Sequence, residues 1–173
     1  TKLFMDETTA PVLDPGKGKG KVKRGYFWAL ARDDRPWDGD DPSGVAFTYA
    51  PGRSGKHAVD ILKGFDGILQ VDGYTGYNRV IDPKRQANIR LAYCWAHARR
   101  YFEKALDNDR ARATVVMELI QELYAVERSA REGDLSAEQR HKLRLAESFP
   151  ILNKIGKYLA DNGKHLLPKS PIG

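Results

Sequence analysis

The order of strand-like and helix-like stretches constrains this chain more tightly than any single motif. Lys2-Leu3-Phe4-Met5 is a short apolar run ending in the acidic pair Asp6-Glu7. Tyr26 to Ala31 is apolar on both alternating faces, as in a strand covered on two sides, and Val45, Phe47 and Tyr49 alternate with smaller residues. A helical spacing begins only after these three strand patterns. Ser54 caps it, Ala58, Ile61, Leu62 and Phe65 share one face, and Gly64 and Gly67 bracket its end. A fourth strand, Ile68 to Val71, runs into Asp72, and a fifth, Ile89 to Cys94, follows the turn Gly73-Tyr74-Thr75-Gly76. Short links make the first three strands an antiparallel meander, and the helical crossover adds a parallel strand. The expected fold class is α/β: a mixed five-stranded sheet with flanking helices.

The rest of the chain is helical in pattern. Trp95, Ala98, Phe102 and Leu106 mark one helix, and Val115, Val116, Leu119, Ile120, Leu123 and Val126 form a broad apolar face on the next. Ser136 and Gln139 make a capping box, and Pro150 interrupts the pattern before Ile151, Leu152, Ile155 and Leu159 resume it. The expected division is a core over residues 1–107 and a helical insertion over 108–173.

Composition narrows the function classes. Cys94 is the only cysteine, which excludes an intrachain disulfide and a multi-thiolate zinc site and suits a reducing compartment. No apolar run approaches the ~18 residues of a membrane span, and the N-terminal residues lack a signal-peptide pattern. A soluble cytoplasmic protein without a membrane partner is expected. With 29 Lys+Arg against 23 Asp+Glu the net charge is +6, which suits a polyanionic partner without identifying one.

The chemistry is expected where two acidic strand ends meet. If the fourth strand lands beside the first and parallel to it, Asp6 and Asp72 become neighbours at a reversal of strand order, where open sheets bind ligands. Two carboxylates brought together repel unless a cation joins them. Hard oxygen ligands point to Mg²⁺ or Mn²⁺, with water and phosphate oxygens completing the shell, and so to phosphoryl transfer on DNA. Either aspartate alone would read more readily as a turn former or helix cap, and it is the pair at matched strand ends that is specific. Glu7, next to Asp6 on an extended strand, is expected to face the other way and is left out of the site.

These residues lie in stretches that resemble the central region of the insertion sequence 66 family of bacterial transposases. The resemblance rests on Met5-Asp6-Glu7-Thr8, on Gly25 to Asp34, on Gly67-Ile68-Leu69-Gln70-Val71-Asp72-Gly73-Tyr74-Thr75-Gly76-Tyr77-Asn78, and on Cys94-Trp95-Ala96-His97-Ala98-Arg99-Arg100-Tyr101-Phe102. The ending Leu167-Pro168-Lys169-Ser170-Pro171 is also similar. The resemblance implies a ribonuclease-H-like fold and the Asp-Asp-Glu class, with Asp6 and Asp72 as first and second catalytic carboxylates. The family's catalytic Glu lies in a later segment, so the third ligand is expected beyond Gly173. A fragment ending there would bind metal poorly and lack strand transfer. Glu118, Glu122, Glu127 and Glu147 are expected on solvated helix faces and are not candidates for the missing ligand. The implied partners are transposon ends, target DNA, further copies of the protein in a homo-oligomer and accessory proteins of the same element, in the bacterial cytoplasm at the nucleoid.

Three further groups of residues carry two readings each. Lys17, Lys19, Lys21, Lys23 and Arg24, interspersed with glycines, form a loop expected directly after Asp6; it would follow a phosphate backbone flexibly, or be a solvated charge run. His97, Arg99 and Arg100 are candidate DNA contacts, whereas Cys94 with His97 lacks the partners for a zinc site or a Cys-His nucleophile and Cys94 is expected buried. Trp28, Tyr74, Tyr77 and Trp95 would stack on splayed bases or fill the core, the core being favoured. The competing functions are a nuclease on the same fold and a non-enzymatic DNA-binding or assembly module.

Overall fold

A computed structural model of the chain describes residues 2–37, 39–85 and 88–164. The family-like ending at Leu167 to Pro171 and His165 lie outside the described residues. The strands are β1 (Lys2–Leu13), β2 (Val22–Arg32), β3 (Gly44–Ala50), β4 (Gly67–Val71) and β5 (Ile89–Tyr93), and the helices are α1 (Gly55–Ile61), α2 (Trp95–Ala105), α3 (Arg110–Glu132), α4 (Ala137–Leu143) and α5 (Phe149–Gly163). The strands form one open sheet in the order β3-β2-β1-β4-β5. β1–β2 and β2–β3 are antiparallel, while β1–β4 and β4–β5 are parallel, which is the mixed sheet that the order of patterns predicts.

The chain divides into two compact units, Thr1–Cys94 and Trp95–Gly173. In the first, one sheet face is buried. Met5, Trp28, Leu69, Val71 and Ile89 from the sheet pack with Ala58 and Leu62 of the α1 region and with Tyr77 and Val80. Ser54 caps α1 by accepting from the Lys56 N–H at 3.3 Å, and Gly64 ends the turn after it with φ +81°, a conformation that costs glycine little. The other face keeps Phe27, Val45, Phe47 and Tyr49 exposed, so β2 is not covered on both sides as its composition suggests. Cross-strand pairing explains the outcome. Phe27 faces Tyr49, and Ala29 faces Phe47 on one side and Asp6 on the other, all on the face opposite to Trp28.

The first strand is much longer than its apolar run. β1 continues seven residues beyond Asp6 because Thr8 to Leu13 pair in register with Phe27 to Val22. Only Lys2 to Phe4 also pair with β4, so Pro11 sits where the strand has a partner on one side only, the situation in which a missing N–H is tolerated. The Gly-Lys segment therefore closes the tip of a two-stranded ribbon. The tip is held by the Asp14 N–H to the Lys21 carbonyl at 2.8 Å and the Lys17 N–H to the Asp14 carbonyl at 3.0 Å.

In the helical unit, Val116, Ile120, Leu123 and Val126 of α3 pack with Ile151 and Ile155 of α5. Asp109 caps α3, and Ser136 with Gln139 forms the expected capping box on α4. The interruption at Pro150 takes the form of a π-helical turn, Arg144–Ser148, between α4 and α5. A proline in the first turn of α5 has no N–H to give to the preceding helix, and a π turn accommodates that loss without ending the helical path. α2, which the sequence pattern attaches to the sheet, belongs to this unit.

Candidate active site

The site is built where β4 stops beside β1. Phe4 faces Gln70 in the parallel pairing, so two residues further along each strand brings Asp72 level with Asp6, with the chains ~4.8 Å apart at the point where pairing ends. Asp6 lies within β1 rather than at its end, and its side chain is on the open face with Phe4 and Thr8. Asp72 follows the last residue of β4. One of its carboxylate oxygens accepts the Tyr74 N–H at 2.8 Å, an Asx turn that fixes the side chain in place. The other oxygen lies 3.7 Å from a terminal nitrogen of Arg53.

Glu7 does face away from Asp6, as expected, and it is linked to Asp72 through Arg53. It lies on the buried face with Leu3 and Met5, where its side chain has 0% exposure. A carboxylate enclosed to that degree must be hydrogen-bonded and counter-charged. Both demands are met: the Tyr77 hydroxyl donates to one oxygen at 2.6 Å, and Arg53 Nε donates to the other. Tyr77 is itself buried, with its ring 6.0 Å from those of Trp28 and Tyr74. Burial, then the hydrogen bond to and charge of Glu7, push its phenol well above the ordinary value, with smaller contributions from Asp72 and Asp6.

Arg53 comes from the link between β3 and α1. Its guanidinium lies 4.0 Å above the Tyr74 ring, and the Tyr74 hydroxyl donates to the Arg53 carbonyl at 2.7 Å. Burial works against its charge, but the hydrogen bond and charge of Glu7, with Asp72 and Tyr74, outweigh this and raise its pKa. The link and the turn after β4 fit together through glycine: a Cβ on Gly55 would stand 2.1 Å from the Gly76 carbonyl oxygen. This close approach holds Arg53 over the Tyr74 to Tyr77 segment.

The other candidates are placed elsewhere. The tip of the basic ribbon is not adjacent to Asp6: Asp14, which follows the last residue of β1, is eight residues further along the chain, roughly 27 Å at ~3.4 Å per residue. Lys17, Lys19 and Lys21 are exposed at this hairpin tip, and Lys23, 4.0 Å from Asp14, and Arg24 are exposed on β2 opposite Val12 and Pro11. His97, Arg99 and Arg100 lie on α2 in the helical unit. Arg99 pairs with Glu103 at 3.2 Å, Arg100 reaches the Ala96 carbonyl at 3.4 Å, and His97 is partly buried with Nδ1 unpartnered. Cys94 is only partly buried and follows β5, where its N–H donates to the Val71 carbonyl at 3.1 Å. Trp28 and Tyr77 are core residues as favoured, whereas Trp95 is exposed. Glu118, Glu122 and Glu147 are exposed, and Glu127 is half-buried and bound at both oxygens by Arg144, at 2.5 and 2.8 Å. Among the described residues, no group of three His, Cys, Asp or Glu side chains is placed to hold a metal ion. No described helix is long and apolar enough to cross a membrane.

Arg53, Tyr77 and Glu7 escape a reading by motif. Their signal is strand parity: with Leu3 and Met5 inward, residue 7 is inward too, and a buried carboxylate requires a cation and a donor from distant segments.

The chain was compared with known proteins. The family model described as "Transposase IS66 family" matches residues 1–173. Three relatives are from Sinorhizobium fredii and bear the names uncharacterized protein y4jD, y4qI and y4hP. The first is 38% identical over 164 residues, covering 92% of this chain and 31% of the relative. The second is 38% identical over 156 residues, 87% of this chain and 28% of the relative. The third is 31% identical over 185 residues, 99% of this chain and 32% of the relative. The chain therefore spans about a third of the length of these relatives. A match along every residue, over the strands that carry both aspartates and over the helices that follow them, establishes that the chain belongs to the IS66 family of transposases.

Proposed function

We propose that this chain is the part of a DNA transposase that carries the first two carboxylates of an Asp-Asp-Glu centre on a ribonuclease-H-like sheet. The observation that carries this reading is the parallel neighbourhood of β1 and β4, which brings Asp6 level with Asp72 at a reversal of strand order. The donor chemistry fits a hard divalent ion. Both side chains offer carboxylate oxygen, Asp6 is solvent-accessible, and Asp72 retains 14% exposure with one oxygen turned away from its Asx bond. Asp6 and Asp72 would hold Mg²⁺ or Mn²⁺, which when bound supplies charge neutralisation and an activated oxygen nucleophile for phosphoryl transfer. The third carboxylate comes from another segment of the whole protein.

The chain's own residues do the positioning. The Tyr74 N–H fixes Asp72, the paired strands fix Asp6, and the Glu7–Tyr77–Arg53 cluster ties the turn after β4 to the first strand. The reaction is cleavage of element ends by water followed by joining of the new 3′-hydroxyls to target DNA. It takes place in a homo-oligomer on paired ends, with accessory proteins of the same element as further partners, at the nucleoid in the cytoplasm. The exposed ribbon of Lys17, Lys19, Lys21, Lys23 and Arg24 contributes sequence-independent affinity, and His97, Arg99 and Arg100 add contacts from α2.

The test is supercoiled-plasmid joining by the complete transposase with Mg²⁺. Asp72→Asn abolishes joined product while leaving DNA binding within about twofold. Unaltered joining by this variant would remove Asp72 from the chemistry, and nicking without joined ends in the wild type would favour a nuclease.

A further inference from the structure

We propose that Arg53 receives the scissile phosphate, with Glu7 and Tyr77 as the residues that position it. This inference rests on the transposase reading above and adds a substrate contact to the same site.

A phosphodiester that approaches Asp6 and Asp72 meets their negative charge, which a fixed cation beside any metal would offset in part. Arg53 is fixed in both position and plane. Glu7 takes its Nε, the Tyr74 ring lies beneath it at 4.0 Å, and the Tyr74 hydroxyl holds its backbone carbonyl at 2.7 Å. Glu7 in turn is held by the Tyr77 hydroxyl at 2.6 Å. This anchoring uses Nε and leaves the two terminal nitrogens without a hydrogen bond among the described residues. The terminal nitrogen nearest Asp72 stands 3.7 Å from it, an ion pair too long for a hydrogen bond, and the side chain is 43% exposed. A guanidinium has five N–H donors in a planar fork that matches two phosphate oxygens, and a preorganised fork loses little entropy on binding. Neutralising Glu7 alone would require only the Nε contact. The terminal nitrogens left open, one of them beside Asp72, point to an anionic oxygen as their intended acceptor.

The experiment uses the complete transposase with Ca²⁺, so that DNA is bound without being cut. Binding is measured for an element end with a normal scissile phosphodiester and for the same end with a neutral methylphosphonate at that position. Wild type binds the normal end tighter by about tenfold to a hundredfold, the value of a charged hydrogen-bonded contact. Arg53→Gln loses most of that ratio, because its affinity falls for the charged end and not for the neutral one. Tyr77→Phe, which loosens Glu7 and hence Arg53, lowers the ratio partway. A wild-type ratio retained by folded Arg53→Gln would overturn the assignment, as would equal weakening towards both ends, the mark of a structural role. If the glutamine variant does not fold, Arg53→Lys keeps the charge opposite Glu7 and loses the fork. Its ratio is then expected to fall, and an unchanged ratio would overturn the proposal. Joining by wild type with Mg²⁺ tests the transposase reading separately.

Discussion

Tyr77→Phe isolates a single buried interaction that has two measurable signatures. The ring stays in contact with Trp28 and Tyr74, and only the hydroxyl that donates to Glu7 at 2.6 Å is lost. A hydrogen bond to a charged, enclosed carboxylate contributes roughly 1.5–3 kcal/mol, so the variant is less stable by that amount near pH 8. The second signature is alkaline. Burial and Glu7 raise the folded-state pKa of Tyr77 above its ordinary 10.0. In the unfolded chain the phenol ionises near ~10, so above that pH the unfolded state gives up a proton that the folded state keeps. Wild-type stability falls from this cause by ~1.4 kcal/mol per pH unit, while the variant, lacking the phenol, is spared. The gap between the two proteins therefore shrinks by ~1.4 kcal/mol between pH 8 and pH 11. Other tyrosines and lysines titrate alike in both and cancel in the difference. Urea unfolding followed through tryptophan emission, to which Trp28 contributes with its ring 6.0 Å from that of Tyr77, reads both effects. A gap under ~0.5 kcal/mol at pH 8, or one that stays constant to pH 11, would refute the account of Tyr77 as the donor that satisfies Glu7.

Three further outcomes are expected. Gly55→Ala places a Cβ 2.1 Å from the Gly76 carbonyl oxygen, a backbone atom with little room to yield; the cost is at least ~1–3 kcal/mol in urea unfolding, and joining falls as Arg53 shifts. Replacing Lys17, Lys19 and Lys21 by Gln lowers the slope of log affinity against log salt by up to about 3, uniformly across DNA sequences. The two bonds from Arg144 hold the Glu127 carboxyl below its ordinary range, so that pair stabilises the helical unit above pH ~4.5 and is lost as acid protonates Glu127. Being half exposed, it contributes ~1 kcal/mol or less, measured as the difference between wild type and Glu127→Gln in thermal melts at pH 7 and pH 3.

Much of the sheet is legible in the residues, because β3, β4 and β5 are short and bounded by turn chemistry and the apolar runs of β1 and β2 stand out. The capping residues Ser54 and Ser136 are legible for the same reason, since each acts on its neighbours in sequence. Where the reading goes astray, long-range pairing decides. Thr8 to Leu13 contains Pro11 and little alternation, and only the partner strand turns it into β structure. Tyr26 to Ala31 looks doubly buried because apolar residues occupy both faces, yet Phe27 is left exposed. Asp6 and Asp72 can be brought together by topology alone. Arg53 cannot, because its role arises from a link packing against a turn through two glycines.

The length of the β1–β2 ribbon sets a spacing on the nucleic acid. Duplex DNA rises ~3.4 Å per base pair, so a rod of roughly 27 Å corresponds to about eight base pairs. On the proposed reading, DNA laid along the ribbon with a phosphate at Asp6 meets Lys17 to Lys21 about three quarters of a helical turn away. Protection from chemical cleavage would then appear as two separated windows, one around the cut and one displaced by that distance.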